Sequence, residues 1–175
     1  MKKFVLSLAI FASVIFGGDF EDALTAYDNK DYKKAVELYQ KAADQGIAEA
    51  QSNLGVMYYT GTGMKQDLKK AVELFQKAAD QGYALAQYNL GVMYHTGKGV
   101  KQDFKKAAEL FQKAADQGYV WAQFNLGSMY YTGTEVKKDK IKSYYWLMKA
   151  AKQGNTKAQD NLDILCKESP WACKQ

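Results

Sequence analysis

The chain has 175 residues, 47% of them apolar and 25% charged, which is room for one domain of ordinary size and excludes a disordered tail, a collagen and a multi-span membrane protein. All 24 basic residues are lysine, set against 19 acids, and there is a single histidine, His95, and a single proline, Pro170. A lone imidazole excludes metal sites built on two histidines, and the lack of arginine removes the preferred residue for bidentate phosphate and base recognition. Lysines also stand close to acids, as in Lys65-Gln66-Asp67, so no one-signed nucleic-acid surface is expected.

The N-terminus reads Met1-Lys2-Lys3, then thirteen uncharged residues from Phe4 to Phe16, then Gly17-Gly18-Asp19. A basic start, a short apolar run and small residues at its end make a secretory signal over residues 1–18, cleaved after Gly17 or Gly18. The alternative is a retained N-terminal anchor, although the run is shorter than the roughly 20 residues that span a bilayer. The mature protein is expected outside the cytoplasm, periplasmic or secreted, with no membrane span after cleavage.

From residue 50 onward the chain repeats itself. Alanine followed by glutamine recurs at 50, 86, 122 and 158, every 36 residues. The boundaries read as a first helix pair at 20–49, full repeats at 50–85, 86–121 and 122–157, and a truncated repeat at 158–175. A period of this size implies a solenoid of supersecondary units. Each block predicts two helices. Ala50, Leu54 and Tyr58 form one stripe, with Gly55 beside it where a neighbouring helix can approach. Tyr59 to Gly63 is a loop and Asp67 suits an N-cap. Ala71, Leu74, Phe75 and Ala78 form the second stripe, which Gly82 closes at the C′ position. Neither face can be buried within one pair, so the pairs must stack.

These residues resemble a known family. A-x-x-x-L-G-x-x-Y, then G-x-G-V/M-x-x-D, then K-A-x-x-L/W-x-x-K-A-A-x-x-G is similar to the Sel-one-like repeat, a relative of the tetratricopeptide repeat. The resemblance covers residues 50 to 165 and implies an all-α, right-handed α-α superhelix. The first block looks like a plain tetratricopeptide unit, because its loop Asn29-Lys30-Asp31 is short. The third departs, with Glu135 where Gly63 and Gly99 stand and lysines gathered at 137, 138, 140 and 142.

The cysteines, Cys166 and Cys173, lie in the truncated last repeat. In an exported protein they are expected to form a disulfide across that terminal pair; the alternative is two free thiols. They are too few for a metal site. An exported solenoid with such a bridge resembles the bacterial cysteine-rich Sel-one-like proteins, and this resemblance implies penicillin binding or weak β-lactamase activity, a hydrolase of cyclic amides. No residue pattern supports that chemistry. The serines of the mature chain, Ser52, Ser128, Ser143 and Ser169, begin no S-x-x-K, and S-D-N, K-T-G and G-x-S-x-G are absent. Whether the protein is an enzyme stays open, with no catalytic residue assigned and no cofactor or metal expected.

A binding surface is better supported. Opposite the core stripe of the first helices lie Ser52, Val56 and Tyr59, and these positions vary between blocks: Ser52, Tyr88, Phe124, Asp160; Val56, Val92, Ser128; Tyr59, His95, Tyr131. In this kind of solenoid the first helices line the concave face. Asn53, Asn89, Asn125 and Asn161 recur at its flank. The resemblance to tetratricopeptide proteins implies that they hold a peptide backbone; alternatively they bond neighbouring loops and hold the stack. Tyr88 and Phe124 are expected on adjacent helices, as a ligand anchor or packed on each other. The expected function is an exported scaffold binding a peptide or protein segment in its groove. The rivals are a binder of β-lactams or cell-wall peptides and a secreted effector engaging a host protein.

Overall fold

The computed structural model describes residues 18–133 and 136–174. Among them are nine helices and no strand: α1 over residues 18–28, α2 Tyr32–Asp44, α3 Ala48–Thr60, α4 Leu68–Asp80, α5 Ala84–Thr96, α6 Phe104–Asp116, α7 Val120–Thr132, α8 Lys140–Lys152 and α9 Thr156–Glu168. The chain divides after Gln81 into two units. In the first, α1 to α4 pack in sequence; in the second, α5 to α9 do the same. Each unit has the stacked hairpins of the α-α solenoid class, the class the sequence implies. All of the expected export signal, residues 1–18, except Gly18 falls on residues 1–17, and the loop departure at Glu135 falls on 134–135. Both lie outside the described residues.

Local chemistry sets each hairpin. The second helices start on an aspartate: Asp67 accepts from the backbone N–H of Lys69 and Lys70 at 3.1 Å, Asp103 from Lys106 and Asp139 from Lys142 at 3.0 Å. They satisfy donors that a helix N-terminus leaves open. The second helices α4 and α6 are amphipathic, burying Ala71, Phe75 and Ala78, and Ala107, Phe111 and Ala114. The first helices differ. α3, α5 and α7 carry almost no charge and have no polar face, so they are covered on most sides. Their fully buried stripe is Ala50, Leu54 and Met57, repeated as Ala86, Leu90 and Met93 and as Ala122, Leu126 and Met129. Tyr58, placed on that stripe by fourfold spacing, is only half-buried, because 3.6 residues per turn bring position 57 nearer the core line.

Glycine fixes the hairpin spacing. A Cβ at Gly91 would lie 2.8 Å from the Phe111 ring, and one at Gly127 would lie 2.8 Å from Leu147 Cγ. Glutamines then tie the two helices of each hairpin. Gln51, Gln87 and Gln123 are buried, and their side-chain oxygens accept from Gln81, Gln117 and Gln153 at 2.8 Å. Gln123 also donates to the Ala115 carbonyl at 3.2 Å.

The C-terminus is closed covalently. Cys166 on α9 and Cys173 form the expected disulfide. The bridged segment is also clasped by side chains: Lys140 donates to Ser169, and the Tyr131 hydroxyl donates to Glu168 at 2.8 Å. Ala172 is fully buried beneath it.

Candidate functional site

Once Ala86, Leu90, Gly91 and Met93 are turned into the core, the remaining side of α5 presents Tyr88, Val92 and His95 at helical spacing. Across from them α7 supplies Asn125, Ser128, Met129 and Thr132, and buried Phe111 comes from α6. Together these residues line a concavity of about 390 Å³. Its lining is mostly apolar, with Asn125, Ser128 and Thr132 as hydrogen-bonding groups and no carboxylate or lysine among the lining side chains. Tyr88 stacks on Phe111 and Tyr119, with ring centroids 5.7 and 5.0 Å apart. Burial pushes its hydroxyl up from the usual phenol range, and the facing Asn125 amide draws it back. Burial likewise raises Tyr119, helped by Tyr88 and Tyr83. The site therefore holds neutral phenols at physiological pH. It suits an apolar side chain whose peptide group meets an amide or hydroxyl.

The structure brings together Tyr88, Val92, His95 and Asn125 of the residues singled out in the sequence, with Ser128 beside them. His95 also stacks edge-on against Phe104, 5.5 Å between centroids. The others are distributed. Asn53 and Val56 line a second concavity, about 250 Å³, with Leu24, Tyr27, Tyr39 and Met57 in the first unit. There burial raises the Tyr39 hydroxyl and Asn53 lowers it. Asn161 donates to the Ser128 hydroxyl at 3.3 Å, which ties α9 to α7. Phe124 and Tyr131 pack in the cluster around Leu147 and Leu165. Tyr59 and Asn89 are half-buried on α3 and α5. Tyr88 is thus given to Phe111 and Tyr119, and Phe124 to the next cluster.

Ser52 corrects the sequence reading. The helical wheel puts it on the open face with Val56 and Tyr59, yet it is fully buried, and its hydroxyl has no hydrogen-bond partner. The first helices are enclosed on more than one side, and the smallest residue at this position lets the surroundings close over it. The glutamine pairs, each with one buried member, are contacts outside the sequence reading. Their signal was present: a glutamine after each recurring alanine and another before each recurring glycine.

The remaining serines are engaged structurally. Ser143 is fully buried, Ser128 donates to the Phe124 carbonyl at 2.9 Å, and Ser169 is buried under Lys140. Among the described residues no cluster of three or more His, Cys, Asp or Glu could hold a metal. No helix there is long and apolar enough to cross a membrane.

Stacked helix pairs that restate the same alanine, leucine, glycine and glutamine positions define a helical-repeat scaffold. The Sel1 repeat model matches residues 28–47, 48–83, 84–119 and 122–155. The chain belongs to the Sel1 repeat family. It is similar to the structure of a protective antigen of uropathogenic Escherichia coli strains displaying an SLR fold, at 37% identity and a TM-score of 0.81 over 86% of this chain and 33% of that one. It is also similar to a Sel1 repeat protein from Oxalobacter formigenes, with 28% identity, a TM-score of 0.79, and 83% and 60% of the two chains covered. A third match is Helicobacter pylori cysteine rich protein B, with 26% identity, a TM-score of 0.60, and 75% and 95% covered. The chain thus spans a third and three fifths of the first two proteins' lengths. None of the curated proteins matches it in sequence.

Proposed function

We propose that this Sel1-repeat chain is an exported scaffold that holds a peptide or protein segment at the concavity between α5 and α7, its units being the 36-residue blocks. One observation carries the reading. Three positions that vary between blocks, Tyr88, Val92 and His95, converge with the recurring Asn125 on one hollow, while the alanine, leucine and glycine that seat the first helices repeat. An apolar pocket with a few neutral polar groups is the usual form of a recognition site. The disulfide and the N-terminal sequence support export. Amides at Asn125 can bond a bound backbone while Val92 and Met129 cover its side chain.

The experiment is crosslinked capture from the producing cell's envelope and medium, comparing wild type with Val92→Lys/Asn125→Ala. The variant is expected to keep its melting temperature and to lose recovered partner at least tenfold. Equal recovery by both proteins overturns the reading. β-Lactam binding is not part of it. No lysine stands among the lining side chains to meet the carboxylate that such compounds carry, and each serine of residues 19–174 is buried or hydrogen-bonded within the fold.

A further inference from the structure

The outward face of α8 differs from that of the other second helices. Three positions on this face, spaced four and three residues apart, are Lys33, Glu37 and Gln40 on α2, Lys69, Glu73 and Gln76 on α4, and Lys105, Glu109 and Gln112 on α6. On α8 they are Ile141, Tyr145 and Met148. Ile141 is 45% exposed and Tyr145 43% exposed. The acids have gone as well: α4 and α6 each carry three lysines and two acids, whereas α8 carries Lys140, Lys142, Lys149 and Lys152 and no acid. The bonds that close the solvated face elsewhere, Gln76 to Asp80 at 2.7 Å and Gln112 to Asp116 at 2.8 Å, are replaced here by Met148 and Lys152.

Four-three spacing is the spacing of a helix-docking seam, and residues flanking such a seam choose the partner by charge. The flanks here are cationic. Lys149 Nζ lies 4.4 Å from the Tyr145 ring centroid and 5.1 Å from that of Trp146. The start of α8 borders a hollow of about 450 Å³ lined by Tyr130, Val136, Lys137, Lys138, Asp139 and Lys142. We propose that the Ile141–Tyr145–Met148 seam of α8 docks an amphipathic helix of a partner protein whose apolar stripe is flanked by glutamate or aspartate. A second copy of the same face is disfavoured by its own lysines. No α8 residue lines the concavity of the proposed function, so the two surfaces are separable.

The test uses the full mature chain and a synthetic 21-residue helical peptide with leucine at its seam positions and glutamate beside them. The comparison protein is Ile141→Lys/Tyr145→Glu/Met148→Gln, which gives α8 the residues that α4 and α6 already carry at these places and should fold as they do. Fluorescence titration in low salt is expected to show binding by wild type, at least tenfold weaker binding by the variant, and weakening with added salt. A matched peptide with lysine in place of glutamate is expected not to bind. Equal binding of both peptides, or of both proteins, overturns the proposal. So does sedimentation of wild type, but not the variant, with phosphatidylglycerol vesicles when the acidic peptide fails to bind. Val92→Lys/Asn125→Ala is expected to bind the acidic peptide as wild type does, which keeps this result apart from the fate of the concavity.

Discussion

In the hairpin α5/α6 the Phe111 ring lies against Gly91, with Leu110 next to it in sequence. In α7/α8 Leu147 takes the place against Gly127, and the aromatic has moved one position back, to Trp146. All four side chains are buried. The core thus tolerates a swap of the aromatic and aliphatic places, with indole for phenyl, between neighbouring positions. The glycine, the capping aspartate and the glutamine pair do not change between the two hairpins. What differs is the outside, where α6 is solvated and α8 presents Ile141 and Tyr145. The comparison separates what makes a repeat from what a particular repeat is for.

The strongest challenge to that equivalence is to empty the shared stripe. Leu90→Ala and Leu126→Ala remove side chains that are 0% and 1% exposed, and each should cost about 2–5 kcal/mol in urea unfolding. Costs at opposite ends of that range would show that the two seams are not alike. A finer probe is alanine at the glycines, expected to cost about 1–3 kcal/mol. Gly127→Ala should be the worse of the two. Its Cβ would lie 2.8 Å from a branched Leu147 carbon and 3.1 Å from the Leu147 backbone nitrogen, whereas at Gly91 the close atoms belong to a ring edge that can tilt. Next come the caps. Asp103→Ala and Asp139→Ala should each cost about 1 kcal/mol. Both should also show a salt-dependent part, because Asp139 lies 4.0 Å from Lys142 Nζ and the charge of Asp103 helps to raise the Lys106 pKa.

The smallest effect is a titration. Lys106 donates to the Tyr94 hydroxyl at 2.8 Å, and this bond raises its pKa above the usual lysine value. A raised folded-state value means that the contribution is present below the unfolded pKa and lost as pH climbs through the folded one. Tyr94→Phe should return Lys106 toward 10.5 in an NMR titration.

The period, the two helices per block, the aspartate caps and the close approach at Gly55 were legible because each rests on short-range chemistry restated every 36 residues. The candidate site was legible only in part. Tyr88, Val92, His95 and Asn125 do surround one hollow, but a helical wheel assumes one buried side and one open side. That assumption failed at Ser52, where α3 is enclosed by more than its own hairpin partner. It also could not tell that Phe111 and Tyr119 would take the Tyr88 ring, since those contacts come from other elements. The α8 face was legible only in outline. Its lysines stood out, while the loss of acids and the apolar seam emerge when helices in equivalent places are compared.

The glutamine pairs carry one more consequence. Within the second unit, Gln117 bonds Gln87, Gln153 bonds Gln123, and Gln123 reaches back to the carbonyl of Ala115. Every block so linked brings both a plug and a socket. A gene duplication that copies one such segment in frame therefore delivers a module whose buried amides are already matched, and the array can lengthen or shorten over generations while each join stays sealed.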